Sequence, residues 1–163
     1  MLTPESPQQF NNPEYLSQEG IKRLEKELEE LKGQRRQEIA DRLEYAKSLG
    51  DLSENAEYQS AKDEQSMNEF RIAELEDILS RAVIIEKERS ADVQLGSSVS
   101  VKREDSQEVE KYSIVGPEEA DSLGGKISHE SPLGRSLLGK KKGENVEVLT
   151  PNGKINYTII DVG

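Results

Sequence analysis

Apolar residues recur at intervals of three and four along the first half of the chain, which is the spacing that places side chains on one face of an α-helix. Ser17 precedes the first series and carries a hydroxyl oxygen that can cap a helix N-terminus. The pattern predicts a long helix that begins after Ser17 and buries a narrow coiled-coil seam. The seam positions of this series are Ile21, Leu24, Leu28, Leu31, Ile39, Leu43 and Ala46.

A second apolar series with similar spacing runs from about Glu54 to Val83. Residues 48–51 interrupt the two series, and Gly50 is suited to end the first helix. We therefore predict a second helix that folds back antiparallel on the first, with a tip at residues 49–54. At a rise of 1.5 Å per residue, each arm would be on the order of 45 Å long. The second series comprises Tyr58, Ala61, Met67, Ile72, Leu75, Leu79 and Ala82.

The second half of the chain changes to an alternation of apolar and polar residues, which is the period of a β-strand. This alternation predicts strands around 99–101 and over 109–115. It also predicts a hairpin of residues 146–150 with residues 155–162, because the Asn-Gly pair in Pro151-Asn152-Gly153 favours a tight turn.

A short helix over 133–138 is predicted from its flanking residues. Ser131 can act as the N-cap, Pro132 fits the first helical position, and Gly139 lies just past the end. Together with the strands, this helix indicates a small α+β domain in the second half of the chain.

The predicted fold class is therefore α+β, with an N-terminal antiparallel α-helical coiled-coil hairpin followed by the small domain. We predict a loose N-terminal extension over residues 1–16, where prolines interrupt a polar sequence. The hairpin is predicted over 17–85, a charged linker over 86–96, and the α+β domain over 97–163.

The charge balance narrows the possible partners. The chain has 33 acidic and 22 basic residues and a net charge of −11, so it repels a phosphate backbone and is not expected to bind free nucleic acid without sequence preference. A protein partner with a basic surface fits better. Charged residues make up 34% of the chain, which is typical of an exposed helical assembly.

The residue types also exclude several kinds of site. The chain has no Cys and a single His, His129, so disulfides, thiolate nucleophiles and the usual zinc sites are excluded, and a metal would have to be held by oxygen. Neither a secretory signal nor an apolar run of membrane-spanning length is present. We expect a cytoplasmic protein without membrane contact.

The predicted tip carries the sequence Gly50-Asp51-Leu52-Ser53-Glu54-Asn55-Ala56-Glu57-Tyr58. Asp51 and Glu54 are three residues apart at a helix start, so both carboxylates can point the same way. In a chain this rich in acids, such a pair is also expected on a solvated face or as stabilisation of the helix dipole. The residues alone leave these interpretations open.

The whole string resembles the tip signature of the Gre family of transcript-cleavage and transcription elongation factors, and its GreA branch most closely. The signature reads Gly-Asp-Leu-x-Glu-Asn-x-Glu-Tyr, and the resemblance covers all but the first 16 residues. It implies a coiled coil joined to a C-terminal FKBP-like α+β domain. The other matching segments are Ala46-Lys47, residues 61–65, Ile114-Val115-Gly116, Glu119-Ala120-Asp121, Ile127-Ser128 and residues 131–140.

The resemblance implies a function inside another protein. Gre factors dock at the rim of the secondary channel of bacterial RNA polymerase and pass the coiled coil through it, so that the tip reaches the active centre. There they stimulate the polymerase to cleave the extruded RNA 3′ end in backtracked complexes. The resemblance implies a monomeric accessory factor that has no activity alone.

The resemblance also assigns roles to residues of the tip. Asp51 and Glu54 would be the carboxylates that hold a Mg²⁺ ion shared with polymerase, with no cofactor expected in the isolated protein. Lys47 and Lys62 match the basic patch that lies along the extruded RNA, although lysine is also the usual solvated helix residue. The structural residues of the tip would be Gly50, Asn55 and Tyr58.

Three other functions fit the sequence less well. A prolyl isomerase would need an aromatic-walled pocket, but the C-terminal half has only Tyr112 and Tyr157 as aromatic residues. An inhibitory paralogue that occupies the same channel would be expected to depart from the tip motif. A purely structural coiled coil would not require this acidic string. Lys140-Lys141-Lys142 could form a phosphate-binding patch, but the segment is interpreted as a solvated turn before Glu144. His129 is interpreted as a loop residue.

Overall fold

The computed structural model describes residues 12–51, 55–86 and 88–163. The chain divides into two compact units. The hairpin unit contains Ile21–Ala82, together with residues 12 and 13 of the described part. The sheet unit contains Glu14–Gly20 and Val83–Gly163.

The first helical arm consists of α1 (Gln18–Glu30), a π-helical stretch (Leu31–Arg35) and α2 (Arg36–Ser48). The predicted cap at the start is confirmed, because the Gly20 backbone N–H donates to Ser17 Oγ at 2.9 Å. The π-helical stretch contains Gly33, and such a stretch inserts a wider turn into an otherwise regular helix.

The second arm is α3 (Ala56–Ser80), capped by Asn55. Arg36 of α2 donates to Glu69 of α3 at 2.7 and 2.6 Å. Arg71 of α3 donates in turn to Glu27 of α1 at 2.7 and 3.1 Å. The order of these partners along the two arms is antiparallel, as predicted.

The buried face of α3 differs from the predicted one at its centre. Met67 is 73% exposed, whereas Asn68 is only 6% exposed and occupies the seam position. Asn68 is seven residues after the fully buried Ala61, and a spacing of seven keeps two residues on the same helix face. The buried residues of α3 are Ala61, Asn68, Ile72, Leu75 and Ile78.

The predicted ends of the hairpin also differ from the observed ones. α3 ends at Ser80, and Ala82–Ile84 form a short strand, β2, that pairs with β1 (Glu14–Leu16). Residues 14–16 are therefore a strand and not part of a loose extension, because Leu16 is fully buried and its carbonyl accepts from the Ile85 N–H at 2.8 Å. The rest of the predicted extension, up to residue 11, lies outside the described residues.

The sheet unit contains five strands: β3 (Ser98–Arg103), β4 (Val109–Val115), β5 (Lys126–Ser128), β6 (Asn145–Thr150) and β7 (Gly153–Val162). They form a mixed sheet in the order β5-β4-β3-β7-β6. Only the β4–β5 pair is parallel among these neighbours. A 3₁₀ turn (Pro117–Glu119) and a short helix, α4 (Pro132–Leu137), lie in the connections on either side of β5.

Two local predictions in this unit are confirmed. β6 and β7 form the expected hairpin, with Thr150 opposite Gly153, and Gly153 has a φ of +123°, a conformation that favours glycine. Ser131 caps α4 by accepting from the Gly134 N–H at 3.0 Å, and Pro132 occupies the first helical position.

The core of the sheet unit includes a residue from the predicted linker. Val93 is only 1% exposed, and its backbone N–H donates to Lys140 O at 2.8 Å. Residues 86–96 are therefore not simply a linker, because the apolar Val93 among them packs in the core. The linker was predicted from the charged residues of this stretch. The buried core comprises Val93, Val99, Val101, Ile114, Leu137, Val146, Val148, Tyr157 and Ile159.

The predicted α+β fold class is confirmed. A helical hairpin is followed by a sheet domain with one short helix, in the predicted order along the chain.

Candidate functional site

The candidate site lies where the first helical arm ends. α2 ends at Ser48, Leu49 is its C-cap, and Gly50 follows with a φ of +120°. This left-handed conformation favours glycine and ends the helix. Asp51 comes next and is exposed. Glu54, the second predicted carboxylate, lies with residues 52–53 outside the described residues.

Asn55 connects the two arms beside the tip. Its Nδ2 donates to the carbonyl oxygen of Ala46 on α2 at 2.7 Å. Its Oδ1 accepts from the backbone N–H of Tyr58 at 3.1 Å and so caps α3. One side chain therefore satisfies a carbonyl at the end of one helix and an amide at the start of the next. The side chain of Tyr58 is half-buried.

Lys47 and Lys62 are both exposed, one on each arm. Each immediately follows a fully buried alanine, Ala46 or Ala61. In an antiparallel helix pair, residues at equivalent positions after the seam flank the same side, so the two lysines lie along one side of the hairpin. Lys62 Nζ donates to Gln65 Oε1 at 3.0 Å. Lys47 lies in the last turn of α2, where a cation also favours the helix dipole.

A network of charged residues lies on the hairpin near the tip. Arg42 donates to Glu57 at 3.1 and 2.8 Å and also bonds to Glu64. Arg35 bonds to the other carboxylate oxygen of Glu64. The hydrogen bond to Glu57 is the main cause that raises the pKa of Arg42. The network ties α2 and the π-helical stretch to α3 behind the candidate site.

This network was not predicted from the sequence, although the chain carries a signal for it. In an antiparallel hairpin, partners lie at similar distances before and after the tip. To within about one helical turn, the predicted tip position pairs Arg42 with Glu57 and Arg35 with Glu64. Individual ion pairs at the surface contribute little, but networks that share a carboxylate contribute more.

A metal site within this chain would require a cluster of oxygen or imidazole ligands. In the described parts of the chain, no group of three or more His, Asp or Glu side chains could hold a metal ion. Mg²⁺ in phosphoryl-transfer sites is typically held by one or two carboxylates together with phosphate oxygens and water. The exposed carboxylate of Asp51 fits this donor set, in which the remaining ligands come from elsewhere.

Two family models together match nearly the whole described chain. Residues 14–84 match the N-terminal part of the transcription elongation factor family GreA/GreB, and residues 88–163 match its C-terminal part. The chain belongs to the GreA/GreB family of transcription elongation factors. The resemblance found in the tip motif is thus confirmed.

Relatives from this family match over most of their length. The chain is 49% identical over 149 residues to transcription elongation factor GreA of Bacillus cytotoxicus, covering 90% of this chain and 94% of that one. It is 48% identical over 149 residues to GreA of Bacillus cereus, with the same coverage. Among solved structures, the GreA factor homolog Gfh1 of Thermus thermophilus is 34% identical, with a TM-score of 0.43 over 93% of this chain and 99% of that chain.

The C-terminal segment of the GreA/GreB match contains the three consecutive lysines. Lys140 lies 3.9 Å from Glu144, Lys141 lies 3.6 Å from Asp92, and Lys142 lies 3.5 Å from Asp161. Each ammonium therefore has a carboxylate partner, which agrees with a solvated turn better than with a phosphate-binding patch.

The aromatic residues and His129 of the sheet unit are accounted for by local contacts. Tyr157 is only 7% exposed and belongs to the core. The Tyr112 hydroxyl donates to Glu110 at 2.8 Å. His129 Nδ1 lies 3.3 Å from Val115 O, and its ring packs edge-on against Tyr15 with centroids 6.0 Å apart.

None of the described helices combines the length and apolarity needed to cross a membrane.

Proposed function

We propose that this chain binds bacterial RNA polymerase through its secondary channel and stimulates the polymerase to cleave nascent RNA in backtracked, arrested complexes. Cleavage creates a new RNA 3′ end in the active centre, from which elongation resumes. The observation that carries this proposal is the family match, which extends over both halves of a chain that retains the complete tip motif.

The tip carboxylates act as metal ligands inside the polymerase. Asp51 and Glu54 would hold a Mg²⁺ ion that polymerase alone retains weakly. When bound, this ion supplies charge stabilisation and an activated water for phosphodiester hydrolysis. The left-handed Gly50 ends α2, and Asp51 is exposed beyond the end of the helix.

Lys47 and Lys62 would contact the phosphates of the extruded RNA. Both are exposed and lie on one side of the hairpin, and lysine acts on phosphate as a point charge without the bidentate geometry of arginine. Their contribution is therefore to hold the RNA near the carboxylates, with little dependence on RNA sequence.

The protein acts as an accessory factor. The catalytic centre belongs to polymerase, and the isolated chain hydrolyses no RNA. It works as a monomer in the cytoplasm, with the sheet unit docking on polymerase and the hairpin tip donating the carboxylates.

The decisive experiment is RNA cleavage in purified backtracked complexes with Mg²⁺. The intact protein should shorten the RNA from its 3′ end, whereas Asp51→Asn and Glu54→Gln should still compete for polymerase but lose most of the stimulation. Asp41→Asn is the matched control, because Asp41 is an exposed acid on the same arm, and it should cleave like the wild type.

Two results would count against the proposal. If the intact protein binds polymerase but slows elongation without cleavage, it is an inhibitory paralogue. If Asp51→Asn and Asp41→Asn behave alike, the carboxylate of Asp51 has no role in cleavage.

Lys47→Ala with Lys62→Ala should reduce cleavage at low factor concentration more than at saturation.

A further inference from the structure

Glu119 is a buried carboxylate at the end of the 3₁₀ turn and is only 5% exposed. Its Oε2 accepts from the backbone N–H of Ser17 at 2.7 Å, and its Oε1 accepts from the Ser17 hydroxyl at 2.6 Å. Both oxygens of the carboxylate are thus bonded to one residue that is 102 positions away in the sequence.

These bonds complete a motif that is normally local. In a capping box, the N-cap hydroxyl accepts from the backbone N–H three residues later, and a Glu or Gln at that later position returns a bond to the N-cap N–H. Ser17 makes the first of these bonds with Gly20 at 2.9 Å. Gly20 has no side chain to return the second bond, and the carboxylate of Glu119 supplies it.

Gly20 has a specific reason to lack a side chain. A Cβ at this position would lie 2.5 Å from Glu119 Cδ and 2.6 Å from its Oε1, closer than real Cβ atoms approach a neighbour. The carboxylate therefore occupies the space in which the helix would otherwise carry its own side chain.

The segment that precedes α1 is held in the same unit by further contacts. A Cβ on Gly116 would lie 1.9 Å from the carbonyl oxygen of Tyr15, so the backbone of Tyr15 passes directly over Gly116. Leu16 is fully buried, and the Tyr15 ring packs against His129. Residues 14–20 accordingly belong to the sheet unit.

We propose that Glu119 is a positioning residue, the remote member of a split capping box that holds the first turn of α1 on the sheet unit. Efficient stimulation of cleavage depends on this anchor. The second statement rests on the proposed function, in which one part of the chain docks on polymerase and the tip acts in its active centre.

The choice of residues favours an anchor over a simple cap. A Glu at position 20 would cap α1 locally and without help from the sheet unit. With Gly20 and Glu119, the bond to the Ser17 N–H forms only when the start of α1 lies against Glu119 of the sheet unit. Hydrogen bonds to a buried carboxylate are strong, and breaking them leaves buried polar groups unpaired. These bonds hold Ser17 and the first turn of α1 within the sheet unit.

The test moves the carboxylate from the sheet unit to the helix. Glu119→Ala removes the remote bond, and Gly20→Glu combined with Glu119→Ala restores a local capping box in the space that the substitution vacates. Glu119→Gln keeps the shape but replaces one of the two acceptor oxygens with an NH2 donor. Glu108→Ala, at an exposed acid in the same unit, is the control. Each full-length protein is measured for thermal unfolding, for exchange of the Ser17 amide, and for cleavage in backtracked complexes.

We expect Glu119→Ala to lower Tm, to speed exchange of the Ser17 amide and to reduce cleavage. The double variant should recover Tm and amide protection, yet remain reduced about tenfold in cleavage rate at saturating factor, because misplacement of a reacting group by about 1 Å is enough for such a loss. Its half-saturating concentration should stay near that of the wild type. Glu119→Gln should fall between the wild type and Glu119→Ala.

Two outcomes would overturn the proposal. Recovery of both Tm and cleavage in the double variant would mean that Glu119 is only a cap. Wild-type behaviour of Glu119→Ala and Glu119→Gln in all three measurements would mean that the bonds contribute nothing. Failure of the unaltered protein to stimulate cleavage would count against the proposed function instead, because thermal unfolding and amide exchange test the split capping box without polymerase.

Discussion

The hairpin unit and the sheet unit are stabilised in different ways. Around Arg35, Arg42 and Arg71, the arms of the hairpin are joined by arginine–glutamate pairs, and the seam between them is narrow. The sheet unit buries a contiguous cluster of nine residues, all apolar except for the hydroxyl of Tyr157. Narrow seams gain little from apolar burial, so the hairpin relies more on polar contacts that water, salt and pH can alter.

This difference suits the two proposed roles. A tip that enters the active centre of another protein must present charge on a slender support, which leaves little apolar surface to bury. A domain that docks on polymerase can retain a thick core. Substitutions of one kind should therefore have unequal effects in the two units.

Removal of buried methyl groups should have the largest effect on stability. Ile159 and Ile39 are each 1% exposed, which makes Ile159→Ala and Ile39→Ala a matched pair. Substitutions of this type cost about 2–5 kcal/mol, and we expect Ile159→Ala to lie toward the upper end, because Ile159 belongs to the cluster of nine buried residues. Urea unfolding measures both. Equal losses would show that the seam packs as tightly as the sheet core.

The cross-arm bond at the tip should have the next largest effect. Asn55→Ala removes both the cap of α3 and the bond to Ala46 O, and loss of an N-cap typically costs about 1 kcal/mol and at most about 2. Amide exchange should quicken for Tyr58, whose N–H loses its acceptor, and cleavage should fall. Asn145→Ala, at an exposed Asn in the sheet unit, is the comparison variant. Unchanged exchange at Tyr58 would contradict the prediction.

The buried amide of Asn68 should have a smaller effect of opposite sign. Its Nδ2 donates to Leu31 O at 3.2 Å, but its Oδ1 is buried and has no hydrogen-bond partner among the residues that the structure describes. Replacement of such a group by an apolar one of similar size can stabilise a helix pair, so Asn68→Leu should raise the free energy of unfolding by about 1 kcal/mol. Chemical denaturation followed by circular dichroism tests this. A loss of stability would mean that the single bond to Leu31 outweighs the unpaired oxygen.

Sequence periodicity was sufficient for the elements that depend on neighbours close in the chain. The two helical arms, the turn before Asp51 and the β6–β7 hairpin follow from local spacing and turn residues. Periodicity failed where a polar side chain took an apolar position, as at Asn68, or where a short strand such as β1 depends on a distant partner.

For the candidate site, too, features that depend on nearby residues could be predicted, whereas contacts between distant residues could not. The motif placed Asp51 at the exposed end of α2, and its predicted roles for the tip residues remain predictions. The bonds of Asn55 follow from its position beside the bend. The pairing of Glu119 with Ser17 and Gly20 could not be predicted from spacing, because the partners lie 102 residues apart and a glycine gives no sign of what fills the space beside it.

The smallest expected effects come from pH, and the two units should respond at opposite ends of the scale. The bond from Arg36 lowers the pKa of Glu69 below its ordinary value of 4.5, so the folded hairpin favours the charged carboxylate. Its contribution is present above pH 4.5 and is lost as pH falls through the lowered pKa. In the sheet unit, burial is the main cause that raises the pKa of Tyr112 above its ordinary 10.0. That contribution is present below pH 10 and is lost as pH rises further.

Thermal unfolding recorded by helical circular dichroism from pH 7 to pH 3 should show the acid loss, and Glu69→Gln should make the curve shallower because that residue no longer titrates. The absorbance of ionised tyrosine, followed from pH 9 upward, should rise later in the folded protein than in urea. Tyr112→Phe should remove part of this delay while leaving the acid response of the hairpin unchanged. If the loss of Tm with falling pH is as steep in Glu69→Gln as in the wild type, the Arg36–Glu69 pair is a surface contact without influence on stability. In that case, packing at the seam alone stabilises that part of the hairpin.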